Sequence, residues 1–173
     1  APILAFTSEE IWQAMPHDKT ADAECVLFNE MPDFDEALAL PQDQAERWDA
    51  AMALRTDVNK ALEIARSEKR IGKSLEAAVT LYFDGQEAQA LWNGPLGSFG
   101  TADLETICIV SHVDAVLGSG QGYQGECIPG LTVQVEPAAG TKCARCWKYD
   151  PHVGENGEHP ELCPRCAAVV SGL

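Results

Sequence analysis

Four cysteines in the last third of the sequence form two pairs with the spacing of metal ligands. Cys143 is paired with Cys146 and Cys163 with Cys166, and sixteen residues separate the pairs. Two residues between paired cysteines allow one tight turn to present both thiolates at about 2.3 Å from a single ion. Two such turns complete a tetrahedron and leave no position for water, so the pattern predicts one structural Zn²⁺ and not a catalytic metal.

The other potential ligands lack this spacing. His152 and His159 lie between the two cysteine pairs, but four thiolates already complete the coordination, so we expect neither histidine to bind the metal. An iron centre and a redox-active dithiol are the alternatives that the same four cysteines leave open. Cys25, Cys108 and Cys127 are isolated, and we expect them to be buried free thiols.

The cysteine count also bears on the compartment. The total of seven is odd, and four of the seven are closely paired, which favours metal binding over disulfides. Reduced cysteines are typical of the cytosol, so we expect a cytoplasmic protein. The sequence contains no run of 18 apolar residues and therefore predicts no membrane-spanning helix.

Positive charge occurs in two places, although the formal net charge is −15. One group surrounds the paired cysteines, and the other follows a stretch with helical periodicity. Both are candidates for contacting the phosphates of a nucleic acid, because such contacts require Lys and Arg. The candidate nucleic-acid-binding residues are Arg55, Arg66, Arg70, Lys142, Arg145, Trp147, Lys148 and Arg165.

These candidates each have a structural alternative. Trp147 directly follows the first cysteine pair, where it can stack on an unpaired base or pack against the zinc module. The basic residues of the helix can contact RNA phosphates, or they can form a solvated face with intramolecular ion pairs. The residue types alone leave both choices open.

Negative charge is concentrated in the first third of the chain. Residues 1–50 carry twelve acidic and two basic side chains, whereas residues 51–100 carry six of each. Residues 101–173 carry nine acidic and four basic side chains. Any nucleic-acid surface must therefore be local, and the first third must face a different partner.

The first half of the chain reads as helices separated by a loop. Thr7 and Glu10 match a capping box, which predicts a short helix that ends near Pro16. Residues 17–41 are acidic and are broken by Pro32 and Pro41, so we expect a loop with little regular structure. A long helix is predicted over residues 42–70, with an apolar stripe of Leu54, Val58, Ala61 and Ala65 and an end at Gly72.

The pattern then changes to the alternation typical of strands. Strands are predicted over residues 75–83, 106–111, 113–117 and 131–136, with a short helix over 86–92 and a glycine-rich turn over 118–125. The order of helices, a mixed unit and a cysteine segment indicates an α+β fold class: a helical N-terminal part, a small mixed α/β unit and a C-terminal four-cysteine zinc ribbon.

Several stretches of the sequence are distinctive in their residue order. They are Phe6–Gln13, Trp48–Ala77, Thr141–Trp147, Val153-Gly154, Glu158-His159 and Cys163–Cys166. Together they resemble, in the same order, the C-terminal region of bacterial isoleucyl-tRNA synthetases, and the run from Lys142 to Trp147 is the most specific part. The resemblance covers nearly the whole chain.

The resemblance implies three parts: the end of a helical anticodon-binding domain over 1–73, a small α+β connecting domain over 74–138, and a zinc module over 139–173. Members of this family charge tRNA-Ile with isoleucine in an ATP-dependent reaction. Their catalytic signature motifs do not occur in this sequence, so the segment is expected to carry no catalytic site. The implied partners are tRNA-Ile and the remainder of the same synthetase chain, in a monomer that does not interact with a membrane.

Two other readings remain open. A DNA-repair glycosylase has a similar zinc finger, but its N-terminal proline nucleophile is followed by Glu, whereas here proline is the second residue and Ile3 follows. The second is an interaction module that uses zinc only for scaffolding and docks its acidic first third on a basic protein surface. A steep loss of RNA affinity with salt would separate RNA binding from such docking.

Overall fold

The computed structural model describes residues 3–18, 20, 22–31 and 33–172. The chain divides into two units, residues 1–40 and residues 41–173. The helices are α1 (Ala5–Ala14), α2 (Gln42–Ser67), α3 (Gln86–Leu91), α4 (Thr101–Cys108) and α5 (Pro164–Ser171). The strands are β1 (Ala77–Phe83), β2 (His112–Leu117), β3 (Tyr123–Gln124), β4 (Leu131–Pro137), β5 (Thr141–Lys142) and β6 (Tyr149–Asp150). The α+β fold class is confirmed.

The first unit is organised around Glu9 on α1. The Glu9 carboxylate accepts hydrogen bonds from the Val26 amide at 2.8 Å and from the Cys25 thiol at 3.2 Å. The predicted capping box is wrong, because α1 begins at Ala5 and Thr7 therefore lies inside the helix without a capping bond.

The loop after α1 has little regular structure, as predicted. Its regular parts among the described residues are the single helical turns Val26–Phe28 and Glu36–Leu38. Pro32, one of the two predicted breakers, lies outside the described residues. No described residue of the first unit is buried, and its large apolar side chains remain exposed: Ile3, Leu4, Phe6, Ile11, Met15, Leu27, Phe28, Met31, Phe34, Leu38 and Leu40.

In the second unit, α2 lies along the core with the apolar stripe that its sequence predicts. Leu54, Val58, Ala61 and Ala65 are all buried. The helix ends at Ser67, so the predicted end at Gly72 is wrong. Lys69 adopts the left-handed conformation with φ of 59°, and the Arg70 amide bonds back to Ala65, which closes the helix before the buried Ile71.

The sheet of the second unit has the strand order β2-β1-β4-β3. β1 pairs with β2 in parallel and with β4 in antiparallel, and β3 is antiparallel to β4. Alternate side chains of β1, from Ala77 to Phe83, are buried, which confirms the predicted period of two. α3 and α4 lie in the connection between β1 and β2, as a parallel pair requires.

Two sequence predictions for this unit are wrong. The strand predicted over 106–111 is the end of α4, in which Ile109 takes the left-handed conformation as the helix closes. Tertiary packing of Leu104 and Cys108 in the core overrides the strand preference of the β-branched residues nearby. The glycine-rich stretch 118–125 contains the short strand β3 in addition to turns.

Asp57 joins the middle of α2 to a distant loop. Its side chain is fully buried and accepts hydrogen bonds of 2.9–3.2 Å from the backbone amides of Glu126, Cys127 and Ile128. Gly125 allows this approach, since a Cβ there would lie 2.7 Å from a carboxyl oxygen of Asp57. The loop after β3 is therefore fixed to the helix by one side chain.

None of the described helices has the length and apolar character needed to cross a membrane.

Candidate metal centre

The four paired cysteines come together in the described structure. The sulfur atoms of Cys143, Cys146, Cys163 and Cys166 all lie within 4.8 Å of one another. Cys143, Cys163 and Cys166 are buried and Cys146 is half-buried. No other group of three or more His, Cys, Asp or Glu side chains suited to a metal was found among the described residues.

Short elements place these sulfur atoms. β5 and β6 form a hairpin whose connection contains the first pair, and the Trp147 amide bonds to the carbonyl of Cys143 at 3.0 Å. Cys163 precedes the first turn of α5, with Pro164 at the first helical position, and Cys166 lies in that turn. The sequence did not predict α5. A proline at a helix start is the signal that could have indicated it.

The donor set fits Zn²⁺. A tetrahedron of thiolates with bonds of about 2.3 Å requires sulfur atoms about 3.8 Å apart, and the sulfurs of Cys146 and Cys163 are 3.8 Å apart. The surroundings also suit thiolates, because the Cys163 amide donates to the Cys143 sulfur at 3.3 Å.

Electrostatics differ among the sulfur atoms in the metal-free state. Burial alone raises the pKa of Cys143, but backbone amides of Cys146, Cys163 and Arg145 outweigh it and lower that pKa to about 6. Burial raises the pKa of Cys163 to about 12. Zinc must therefore displace protons when it binds, as thiolate ligands generally require.

The two histidines between the cysteine pairs lie outside the sulfur cluster. The His152 ring lies 2.9 Å from the Glu155 carboxylate, whose hydrogen bond and charge raise the pKa of His152. Asn156 accepts a hydrogen bond from the His159 backbone amide and so shapes the loop. Neither histidine belongs to the four-sulfur group.

The cysteine module attaches to α4 and the sheet through a small polar cluster. The Lys148 ammonium pairs with the Glu105 carboxylate at 2.7 Å, and both side chains are largely buried. The Tyr149 amide donates to the Ser111 hydroxyl at 2.7 Å, and that hydroxyl donates to the carbonyl of Leu75. Glu105 and Ser111 were missed by the sequence analysis, because their partners are about 40 residues away in the chain.

The basic candidates on α2 also have partners within the chain. Arg66 pairs with Glu63 at 3.0 Å and donates to Ser74. Arg70 pairs with Glu68 at 2.7 Å and donates to the carbonyl of Val135. Arg55 is half-buried, and its Nε atom has no hydrogen-bond partner in the described structure. Of the two alternatives for the basic residues of the helix, RNA contact and intramolecular ion pairs, the structure shows ion pairs for Arg66 and Arg70.

Trp147 and Lys142 form the most accessible part of the module. Trp147 is 60% exposed and adopts the left-handed backbone conformation with φ of 66°. The Lys142 ammonium lies 5.2 Å from the centre of that ring, within cation–π distance. We refer to Lys142 and Trp147 together as the Trp147 face.

The arginines that precede the second cysteine of each pair contact sulfur. Arg145 donates to the Cys166 sulfur at 3.7 Å, and Arg165 donates to the same sulfur at 3.9 Å. Both arginines are exposed as residues. Nearby thiols, Cys146 first among them, raise the pKa of Arg165, so this guanidinium stays charged.

The isolated cysteines differ from one another. Cys108 is buried, Cys25 is half-buried and Cys127 is exposed, so the prediction of a buried thiol is wrong for Cys127. Cys127 lies in the loop that Asp57 holds at the molecular surface.

Comparison with known proteins adds two family matches. Residues 140–169 match the family described as a zinc finger found in FPG and IleRS. Residues 1–81 match the anticodon-binding domain of tRNA ligase. The first match spans all four clustered cysteines, and the second ends within β1.

Curated relatives match along nearly the whole chain. The isoleucine–tRNA ligase of Geobacter sulfurreducens is 43% identical over 173 residues, which cover 98% of this chain and 17% of that protein. The corresponding enzyme of Syntrophotalea carbinolica is 42% identical over 171 residues, covering 99% of this chain and 18% of that protein. That of Staphylococcus saprophyticus is 41% identical over 176 residues, covering 100% of this chain and 17% of that protein. The chain thus spans less than a fifth of the length of these relatives.

Proposed function

Because this chain belongs, as a segment, to the isoleucine–tRNA ligase family, we propose that it is the zinc-binding part that holds the anticodon side of tRNA-Ile. Charging of tRNA-Ile with isoleucine and ATP would take place in a part of the enzyme outside this segment. The segment supports that reaction by holding the tRNA and provides no catalytic group of its own. We propose that residues 1–73, 74–138 and 139–173 are its three functional parts.

The observation that carries this proposal is the combination of two matches in one chain. An anticodon-binding match over residues 1–81 is followed by a zinc-finger match over residues 140–169, and isoleucine–tRNA ligases align with nearly the whole chain. The zinc-finger match alone would fit a DNA-repair glycosylase equally well. The anticodon-binding match favours a tRNA ligase instead.

The metal proposal is a single structural Zn²⁺ held by Cys143, Cys146, Cys163 and Cys166. Bound zinc would supply cross-linking of β5, β6 and α5, which together bury very little apolar surface. A set of four thiolates leaves no open position for water or substrate, so the ion organises the module and takes no part in aminoacylation.

We place the centre of RNA contact at the Trp147 face. Trp147 has an exposed ring that can stack on an unpaired base, and Lys142 adds positive charge beside it. Arg145 and Arg165 add charge to the same module. Arg55, Arg66, Arg70 and Lys148 have a secondary role in this proposal, because Arg66, Arg70 and Lys148 are bonded within the chain and Arg55 is half-buried.

The first unit is proposed to pack against the remainder of the same synthetase chain. Its exposed apolar side chains, such as Phe6 at 91% and Phe34 at 79%, need a protein surface to cover them. Its nine acidic residues, against one basic residue, within positions 1–40 make it unsuited to RNA. We further propose a monomer located in the cytoplasm, where thiols stay reduced for zinc.

Binding of the chain to tRNA-Ile and to an unrelated tRNA at two salt concentrations tests the proposal, with zinc content measured in the same samples. We expect salt-sensitive binding that favours tRNA-Ile. Trp147→Ala should weaken it by about 5- to 150-fold, the range for loss of one stacked base. Lys142→Gln should lower the slope of log affinity against log salt by roughly 0.7–0.9, the value for one phosphate contact.

Lys60→Gln is the matched control, because it removes one positive charge from an exposed position on α2. If the Trp147→Ala variant still bound zinc and bound tRNA-Ile with wild-type affinity, the Trp147 face would not be the RNA contact.

A zinc-scaffolded protein-interaction module is the second candidate. The internal pairing of Arg66, Arg70 and Lys148 favours it, since these cations are less available to phosphate. Absence of tRNA binding at low salt, with zinc present, would support this reading.

A further inference from the structure

One sulfur of the four-cysteine group has two cationic donors. Cys166 accepts hydrogen bonds from Arg145 at 3.7 Å and from Arg165 at 3.9 Å. Its residue is fully buried, so water cannot replace these donors. The Cys143 sulfur has a backbone amide donor instead, from Cys163 at 3.3 Å.

The sequence gives these arginines equivalent positions. Each pair has the pattern Cys-x-Arg-Cys, so Arg145 precedes Cys146 and Arg165 precedes Cys166. The fold nevertheless brings both guanidinium groups to the Cys166 sulfur, and Arg165 also lies near the Cys146 thiol. The convergence on Cys166 depends on the fold, because Arg145 is 21 residues away from Cys166 in the chain, whereas Arg165 is its neighbour.

The two arginines place positive charge beside a metal site that carries net negative charge. Four thiolates around one divalent ion carry a net charge of −2, which is unfavourable in a buried site unless cations lie nearby. The module also carries Asp150, Glu155, Glu158 and Glu161, so its other side chains provide no excess of positive charge. Hydrogen bonds from charged donors are stronger than those from neutral ones.

We propose that Arg145 and Arg165 are positioning residues that stabilise Cys166 as a zinc ligand and slow the release of the metal. They act through the Cys166 sulfur and do not touch the ion. This inference rests on the proposed zinc site and adds to it the side chains that retain the ion. The contacts with Cys166 lie within the chain, so the role does not require RNA.

The test compares the full chain with Arg145→Gln, Arg165→Gln, the double variant and the corresponding lysine variants. Zinc affinity is measured by competition with a chromogenic chelator, and the sulfur-to-metal charge-transfer band is recorded after replacement of zinc by Co²⁺. We expect each glutamine variant to bind zinc about 10-fold more weakly and the double variant about 100-fold, the range seen when residues behind metal ligands are lost.

The Co²⁺ band should also shift in the glutamine variants, because loss of a charged donor changes the electron density on sulfur. Lysine retains the charge and one donor direction, so the lysine variants should recover part of the affinity. Lys60→Gln is the control for loss of one positive charge elsewhere, and it should leave both readings unchanged.

The outcomes separate this inference from the proposed zinc site. A chain that binds no zinc contradicts both. A chain that binds zinc, with unchanged affinity and an unshifted Co²⁺ band in the double variant, contradicts only the role of the arginines. Equal losses in the lysine and glutamine variants would overturn the stabilisation of Cys166 by charge.

Discussion

At the scale of single residues, three isolated cysteines that look alike in the sequence have different chemistry. Cys108 is buried on α4, and burial raises its pKa to about 11, against the smaller opposing effect of the Arg55 charge. Desolvation, followed by the negative charge of Asp57, raises the pKa of the exposed Cys127. The Cys25 thiol donates to Glu9. Accessibility therefore decides which of them can react.

Alkylation of the zinc-loaded chain with iodoacetamide at pH 8 should modify Cys127 and leave Cys108 untouched. A pKa of about 11 gives roughly 100-fold less thiolate than the ordinary value of 9.0, and burial blocks access as well. Peptide mapping by mass spectrometry measures both sites. Modification of Cys108 at the rate of Cys127 without denaturant would show that α4 opens readily.

The raised pKa of Cys108 also makes the stability of the folded chain depend on pH. Because the pKa of Cys108 is higher in the folded state than its ordinary 9.0, its contribution to stability is complete below pH 9. That contribution is lost as the pH rises toward about 11. The free energy of unfolding should therefore fall over this alkaline range.

At the scale of elements, Asp57 is the most consequential single contact in the core. Its carboxyl group is fully buried and satisfies the amides of Glu126, Cys127 and Ile128. Removing an acceptor from a buried site leaves those donors unpaired, which costs more than the hydrogen bonds themselves contribute. α2 and the loop after β3 are therefore fixed to each other by electrostatics in addition to apolar packing.

Asp57→Asn should lower the free energy of unfolding by about 2–4 kcal/mol, since the amide NH₂ group cannot accept from the loop. Urea denaturation followed by circular dichroism measures the change. Asp49→Asn is the matched control on the exposed side of the same helix and should change stability by less than about 0.5 kcal/mol. Similar stabilities for the two variants would mean that the loop relaxes without cost.

The elements also show which parts of the fold the sequence could predict. α2 and β1 were predictable because burial follows a regular period in each. α4 was not, because Thr106 and Ile107 favour strands locally while Leu104 and Cys108 anchor a helix in the core. For the site, Cys-x-x-Cys spacing is a local signal, so the four-sulfur cluster was predictable. The pairing of Lys148 with Glu105 was not, because 43 residues separate them.

At the scale of the whole molecule, the zinc module and the apolar core are stabilised by different means. The core of the second unit extends from Ala51 to Val135 and is made of buried apolar side chains. Within the part of the module that the structure describes, the buried cluster consists of Cys143, Cys163 and Cys166. Loss of the ion should therefore affect the module and leave the core folded.

Cys143→Ser tests this independence. We expect loss of zinc and loss of amide hydrogen-exchange protection over residues 141–172, because the remaining three cysteines cannot complete the tetrahedron. α2 should remain protected, since none of its buried residues belongs to the cysteine cluster. Zinc content is measured by atomic absorption.

Cys127→Ser is the control, because it removes an exposed cysteine outside the cluster. Unchanged zinc content in Cys143→Ser would contradict the four-thiolate assignment.

Charge distribution is the second property of the whole molecule. A net charge of −15 repels RNA at long range, so the proposed association with tRNA would depend on individual cations near Trp147, such as Lys142, and not on the net charge of the molecule. Under the proposed function, the acidic first unit would face protein in the full enzyme. Binding by the isolated chain is therefore expected to be weaker than binding by the complete synthetase.

The hydrogen bonds between Asp57 and residues 126–128 can form only some time after Asp57 itself has been synthesised. The bonded groups are 69 to 71 residues apart in the chain. At about 5–20 residues per second, a ribosome needs roughly 4–14 s to make the chain between them. During that interval α2 has left the ribosome while its central carboxyl group still lacks its partners. The nascent helix is thus exposed to chaperones and proteases until residue 128 emerges.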